Sequence, residues 1–200
     1  FSVSERLRMV SAPNELETTL LHDAVRAGNV ESVDIILSLY PDESALLSAL
    51  DMKDQCGMTV LHHAAESGAL ESFKSILNRY PVSRHLQVVC VEDIIGRTVV
   101  HCAAESRTFE CFKTVLTLYP DSERLRAVSK QDKLGRNVLH CAARSNNIYC
   151  IKAALALYPE SQLQDTLHVQ TRSGKSVLDL MCLETRTRIM EWLAKSEFQS

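Results

Sequence analysis

Four histidines, His22, His62, His101 and His140, recur along the 200-residue chain at steps of 40, 39 and 39. Two of them precede a cysteine, as His101-Cys102 and His140-Cys141. Two imidazoles and two thiols form a donor set that zinc accepts. A cysteine beside a histidine is also the raw material of a nucleophile with its base. Geometry opposes both readings. Adjacent residues on a helix point in different directions, so the four donors do not converge on one ion. A nucleophile also needs an oxyanion pocket. Cys102 and Cys141, and Cys111 and Cys150, repeat at 39 residues, as small core residues would. A histidine at one place in every unit reads instead as a side chain that bonds nearby backbone and hydroxyls and holds the turns in register. No glycine-rich phosphate loop or nucleophile elbow is present. No catalytic, cofactor-binding or metal-binding residue is expected.

The elements that position these histidines follow the same period. Gly57, Gly96, Gly135 and Gly174 are spaced by 39 residues, and Tyr-Pro pairs recur at Tyr40, Tyr80, Tyr119 and Tyr158. Each unit predicts a helix, a tight turn, a second helix and a long return. Thr59, Thr98, Asn137 and Ser176 are helix-capping types ahead of apolar runs. Gly28, Gly68 and Asn146 tolerate the left-handed conformation that ends a helix, whereas Arg107 in that place strains or shifts its turn. Ile148, Ile151, Ala154 and Leu155 have helical spacing. Pro after Tyr stops the second helix. Asp54, Asp93 and Asp132 each stand three residues before a glycine and supply turn chemistry. The tyrosines are expected to cover the seam between neighbouring second helices.

The stretch Gly57-Met58-Thr59-Val60-Leu61-His62-His63-Ala64-Ala65 resembles the ankyrin signature G-x-T-P-L-H-x-A-A, as do Gly96 to Ala104 and Gly135 to Ala143. Val60, Val99 and Val138 replace the signature proline, and Asp179 replaces the histidine in the last unit. The resemblance implies an all-α solenoid of stacked helix-turn-helix units with a concave face that binds protein. An ankyrin repeat has about 33 residues, so each unit here has about six to spare. These follow the second helix. Asp121 or Ser122 is expected to cap a short extra helix whose Leu125 and Val128 pack inward, on the outer, convex side. Leu86 and Val89 are their equivalents.

The expected units are 14–53, 54–92, 93–131 and 132–170, followed by a capping repeat over 171–200. Ser4-Glu5-Arg6-Leu7-Arg8 matches Ser122-Glu123-Arg124-Leu125-Arg126. Residues 1–13 are therefore expected to be the tail of a preceding repeat in a longer protein. Arg186, Arg188, Glu191 and Lys195 suit the polar face of a terminal helix, with Trp192 and Leu193 facing back.

Twenty-two basic and 25 acidic residues give a net charge of −3, which argues against a general nucleic-acid or anionic-membrane binder. No apolar run is long enough to span a membrane. Seven cysteines without a CxxC pair fit a reducing, intracellular and cytoplasmic setting. The resemblance implies that a partner is contacted by the turn tips and the exposed face of the first helix. Those positions are Gln55, Met58 and Glu66, then Glu92, Ile94, Ile95, Arg97 and Glu105. Lys133, Leu134, Arg136 and Arg144 follow, and Arg172 and Lys175 close the series. Ile94 and Ile95 are apolar where a solvated turn would be polar. Glutamates gather toward the front and cations toward the back, which suits a partner with an acidic segment at the rear. The alternatives are a targeting module of a larger effector or enzyme, and nucleic-acid binding through the basic rear half.

Overall fold

The computed structural model describes residues 3–197, with side chains described over 5–195. The expected outer units, 1–13 and 171–200, extend past that range at both ends. Among the described residues there are helices and one isolated antiparallel bridge, Gln170 to Ser176, but no strand.

Three rows of helices, numbered in chain order, run along the stack. The first helices are α2 (Leu20–Arg26), α5 (Val60–Ser67), α8 (Val99–Glu105), α11 (Val138–Arg144) and α14 (Val177–Leu180). The second helices are α3 (Val30–Ser38), α6 (Leu70–Leu77), α9 (Phe109–Thr117), α12 (Ile148–Leu155) and α15 (Leu183–Glu197). The inserted helices are α1 (Val3–Ser11), α4 (Glu43–Leu50), α7 (His85–Val89), α10 (Asp121–Ser129) and α13 (Leu163–His168). A 3₁₀ turn leads into α7 (Val82–Arg84) and another into α13 (Glu160–Gln162). The extra helical turn per repeat is present, and α1 and α10 occupy the register in which their sequences match.

Each first helix packs on the next, and so does each second helix. Ala64, Ala65, Ala103, Ala104, Ala142 and Ala143 are fully buried, and their small side chains let the first helices approach closely. Phe73, Phe112 and Ile151 fill one column of the second row and are equally buried. Contacts therefore join neighbours in sequence order, as in a one-dimensional array.

Several expectations need correction. α10 begins behind Pro120 with no side-chain cap, although Asp42 does cap α4, accepting from the Ala45 amide at 2.8 Å. α1, α10 and α13 lie against first helices, α10 on both α8 and α11. The tyrosines cover the seam to the preceding inserted helix rather than one between second helices. Tyr80 donates to Asp51 at 3.0 Å, Tyr119 donates to the Val89 carbonyl at 3.2 Å, and Tyr158 accepts from Ser129 at 2.8 Å. Tyr40 has the same place, but its buried hydroxyl has no partner. Arg107 does not adopt the left-handed conformation. α8 ends in the same register as α11, but Ser106 turns extended, and its hydroxyl bonds the Ala103 carbonyl at 2.8 Å. Asn146 does adopt it, at φ 54°.

Candidate protein-binding surface

The turn tips are built from their buried aspartates. Asp54 Oδ1 accepts from the Cys56 and Met58 amides, both at 2.9 Å. Asp93 and Asp132 repeat the pattern with Ile95 and Arg97, and with Leu134 and Arg136. Asn14 and Thr171 stand in for the aspartate at the two ends. The closing residue of each tip has positive φ. It is glycine at Gly57, Gly96, Gly135 and Gly174, but Glu17 in the first tip, at φ 58°.

Each tip is bonded to the one before it. The Gln55 amide donates to the Leu16 carbonyl at 3.1 Å, and Ile94 to Cys56 at 2.9 Å. Lys133 donates to Ile95 at 2.8 Å, and Arg172 to Leu134 at 2.9 Å. A side chain placed on Gly57 would meet the Ile94 amide nitrogen at 2.9 Å, so glycine answers both the backbone angle and the close approach. The tips thus form one hydrogen-bonded row that holds its outward side chains in fixed order.

The histidines lie behind this row. Thr59, Thr98 and Asn137 each donate a backbone amide to Nδ1 of the following histidine at 3.2 Å. Nε2 of His62, His101 and His140 donates to the Val91, Lys130 and Val169 carbonyls at 3.0, 2.9 and 3.0 Å. Each histidine therefore ties a first helix to the end of its inserted helix. The first unit's insert is one residue longer, and the carbonyl near His22 Nε2 is that of Met52, without a hydrogen bond of normal geometry. Burial lowers the pKa of all four imidazoles, His62 to about 4. In the last unit Asp179 does the capping work: its Oδ2 accepts from the Ser176 amide at 2.9 Å.

His63 and Asp54 form a buried contact of 2.9 Å that sequence reasoning missed. Burial alone would raise the Asp54 carboxyl, but the Met58 amide and His63 outweigh it and hold it below the usual carboxylate range. The signal was visible as Met58 in the arginine column together with His63 in a cysteine column. Burial pushes the thiols of Cys111, Cys141 and Cys150 up to about 12, and that of Cys102 well up, so none is a thiolate near neutral pH. Among the described residues no group of three or more His, Cys, Asp or Glu side chains is placed to hold a metal ion.

The expected contact residues divide into distinct groups. Ile94 is 56 % exposed and Leu134 47 %, and Gln55 is exposed beside them. Ile95 is half-buried. Met58 is 4 % exposed and offers no surface; the Arg97 guanidinium lies against its sulfur. The split between a front of glutamates and a back of cations is largely cancelled. Arg97 pairs with Asp93, Glu105 and Glu66, Arg144 with Glu105, and Arg136 with Asp132. Glu92 pairs with Lys130, and Lys133 Nζ donates to the Ile94 carbonyl. Arg172 and Lys175 remain exposed, with no ion pair among the described residues. Together with Leu134, Arg136, Arg144 and Leu180 they line a groove of about 470 Å³ at the rear of the row. Tyr149, 63 % exposed and 5.9 Å from the Phe109 ring, is an aromatic surface that the helical spacing did not single out.

No curated protein matches the chain. Residues 21–124 match the family described as ankyrin repeats in three copies. That span, the capped first helices, the bonded turn tips and the stacked rows agree, and the chain belongs to the ankyrin-repeat family.

Proposed function

We propose that this chain binds a partner protein through the row of turn tips and the exposed ends of the first helices, with Ile94, Ile95 and Leu134 as the apolar centre. Ankyrin repeats are protein-interaction modules, and their fold is a non-catalytic one. The observation that carries the reading is the exposure of Ile94 on a backbone fixed by hydrogen bonds on both sides: its amide donates to Cys56, and its carbonyl accepts from Lys133 Nζ. An apolar side chain held rigidly in water loses little freedom when a partner covers it. Gln55 and the exposed edge of Glu66 border this centre. Glu92, Arg97, Glu105, Lys133 and Arg136 hold the tips in place through their ion pairs and hydrogen bonds. Arg144, Arg172 and Lys175 favour an acidic segment of the partner at the rear.

The test is affinity capture with the wild type and an Ile94→Asp, Ile95→Asp double variant. The variant is expected to retain its helical circular dichroism and its unfolding midpoint within a few degrees. Loss of two central apolar contacts should weaken partner binding by about 30-fold or more. A folded variant that captures the same partners as well as the wild type would place binding elsewhere on the molecule.

A further inference from the structure

Two columns of residues beside the tips carry interlocking charges, and one carboxylate is missing from them. Met58, Arg97 and Arg136 occupy one place in successive units. Arg26, Glu66, Glu105 and Arg144 occupy another, at the ends of the first helices. Arg97 shows the complete arrangement. Its Nε bonds Asp93 at 2.8 Å, and its Nη1 bonds Glu66 at 3.3 Å and Glu105 at 3.0 Å. Arg136 keeps only the first of these partners. Its Nε bonds Asp132 at 2.8 Å, but Arg144 stands where a second glutamate would, and Glu105 turns to Arg97 and Arg144. Arg136 Nη2 is 2.7 Å from the same aspartate oxygen but out of hydrogen-bond alignment, and it is buried without another partner. The deficit lies at residue 144 itself, which is a cation where α5 and α8 carry glutamate.

We propose that a carboxylate of the bound partner, from an aspartate or glutamate side chain, fills this place by bridging Arg136 and Arg144. Both guanidiniums line the groove of about 470 Å³, with Leu134 and Leu180 beside them. Asp132 holds Arg136 in a fixed orientation, whereas Arg144 is 59 % exposed and free to turn toward a ligand. A guanidinium fork receives a carboxylate through paired N–H groups. The two leucines suit an apolar side chain next to it. Asp132 and Glu105 stand in the same cluster and leave only a small surplus of positive charge. That surplus matches isolated carboxylates rather than a phosphate chain charged at every nucleotide.

This proposal rests on the reading that the chain binds protein along the tip row. Its test is fluorescence anisotropy of the full chain with a labelled, end-blocked peptide, Gly-Glu-Leu-Glu-Gly. The salt is set at about 0.1 M, where exposed charges more than about 10 Å apart are screened. Saturable binding is expected, and Arg144→Gln should weaken it about tenfold or more. Arg144→Glu supplies the missing acid from within the chain. It should abolish peptide binding and leave the unfolding midpoint unchanged or raised. Arg26→Glu makes the same change of charge at the equivalent place of α2, with α5 and α8 between, and should leave binding unchanged. Equal binding by Arg144→Gln overturns the proposal, as does an equal loss in Arg26→Glu. Equal binding of the peptide with glutamine for glutamate, or its displacement by an oligouridylate, overturns it too. Failure of the peptide in a protein whose partner capture still depends on Ile94 and Ile95 removes the carboxylate site and leaves the binding face standing.

Discussion

His63 Nε2 lies 2.9 Å from Asp54 Oδ2, and both side chains are 6 % exposed. In the next two units the same carboxylate oxygen takes its hydrogen bond from Arg97 Nε and Arg136 Nε, each at 2.8 Å. Cys102 and Cys141 fill the place of His63 there, and Met58 fills the place of the arginines. One buried carboxylate is thus partnered from two different positions, because a buried charge without a partner is costly.

His63→Cys should therefore destabilise the fold by about 2–3 kcal/mol, since Asp54 keeps only its backbone donors. Adding Met58→Arg recreates the arrangement of the following units and should recover most of that loss. Urea unfolding of the two variants checks it. A single variant as stable as the wild type would show that His63 is dispensable.

Stability should fall on mild acidification. The four capping histidines are neutral in the fold, and burial lowers their pKa, that of His62 to about 4 from 6.5. The unfolded chain binds the extra protons first, so stability is full above about pH 6.5 and is lost as pH falls toward 4. His62 contributes a slope of about 1.4 kcal/mol per pH unit in that window, and the other three act in the same direction. His62→Gln should reduce the slope by one proton's worth. An unfolding free energy that is flat between pH 7 and 5 would contradict this.

Glu17 occupies at φ 58° the place that glycine holds in the other tips. Glu17→Gly should stabilise the chain by about 0.5–1 kcal/mol by relieving the left-handed strain. Gly135→Ala should destabilise by more than that amount. Its Cβ would suffer the same backbone strain and also stand 3.0 Å from the Arg172 amide nitrogen. Thermal unfolding of the two variants should therefore shift in opposite directions.

The tyrosine ladder separates packing from hydrogen bonding. Tyr119→Phe loses the bond to the Val89 carbonyl and should cost about 1 kcal/mol or slightly more. Tyr40→Phe removes a buried hydroxyl that has no partner, so it should be neutral or stabilising. Equal losses at both positions would mean that the ladder works through ring packing alone.

The repeat was legible because each marker answers a local demand. Gly135 provides a left-handed turn, Asn137 caps a helix, and Pro159 stops the next one, and none of these needs a distant partner to be recognised. The insert was readable as a helix from Leu125 and Val128, yet the helix it covers was not, because that depends on where α8 and α11 leave a seam. Tyr80 shows the same limit: its recurrence marked a packed position, while its bond to Asp51 crosses a unit boundary.

The amino-acid order alone determined the period, the helix pairs and the residues that stand at each tip, since these follow from backbone propensities over a few positions. Only the stacked structure decided which tip residues are free. Arg97 and Glu105 read as surface charges but neutralise each other, Met58 is covered, and Arg172 and Lys175 are exposed with no ion pair among the described residues. Whether a charge is satisfied depends on what the neighbouring unit brings within a few ångströms, and that distance is set by stacking rather than by spacing along the chain.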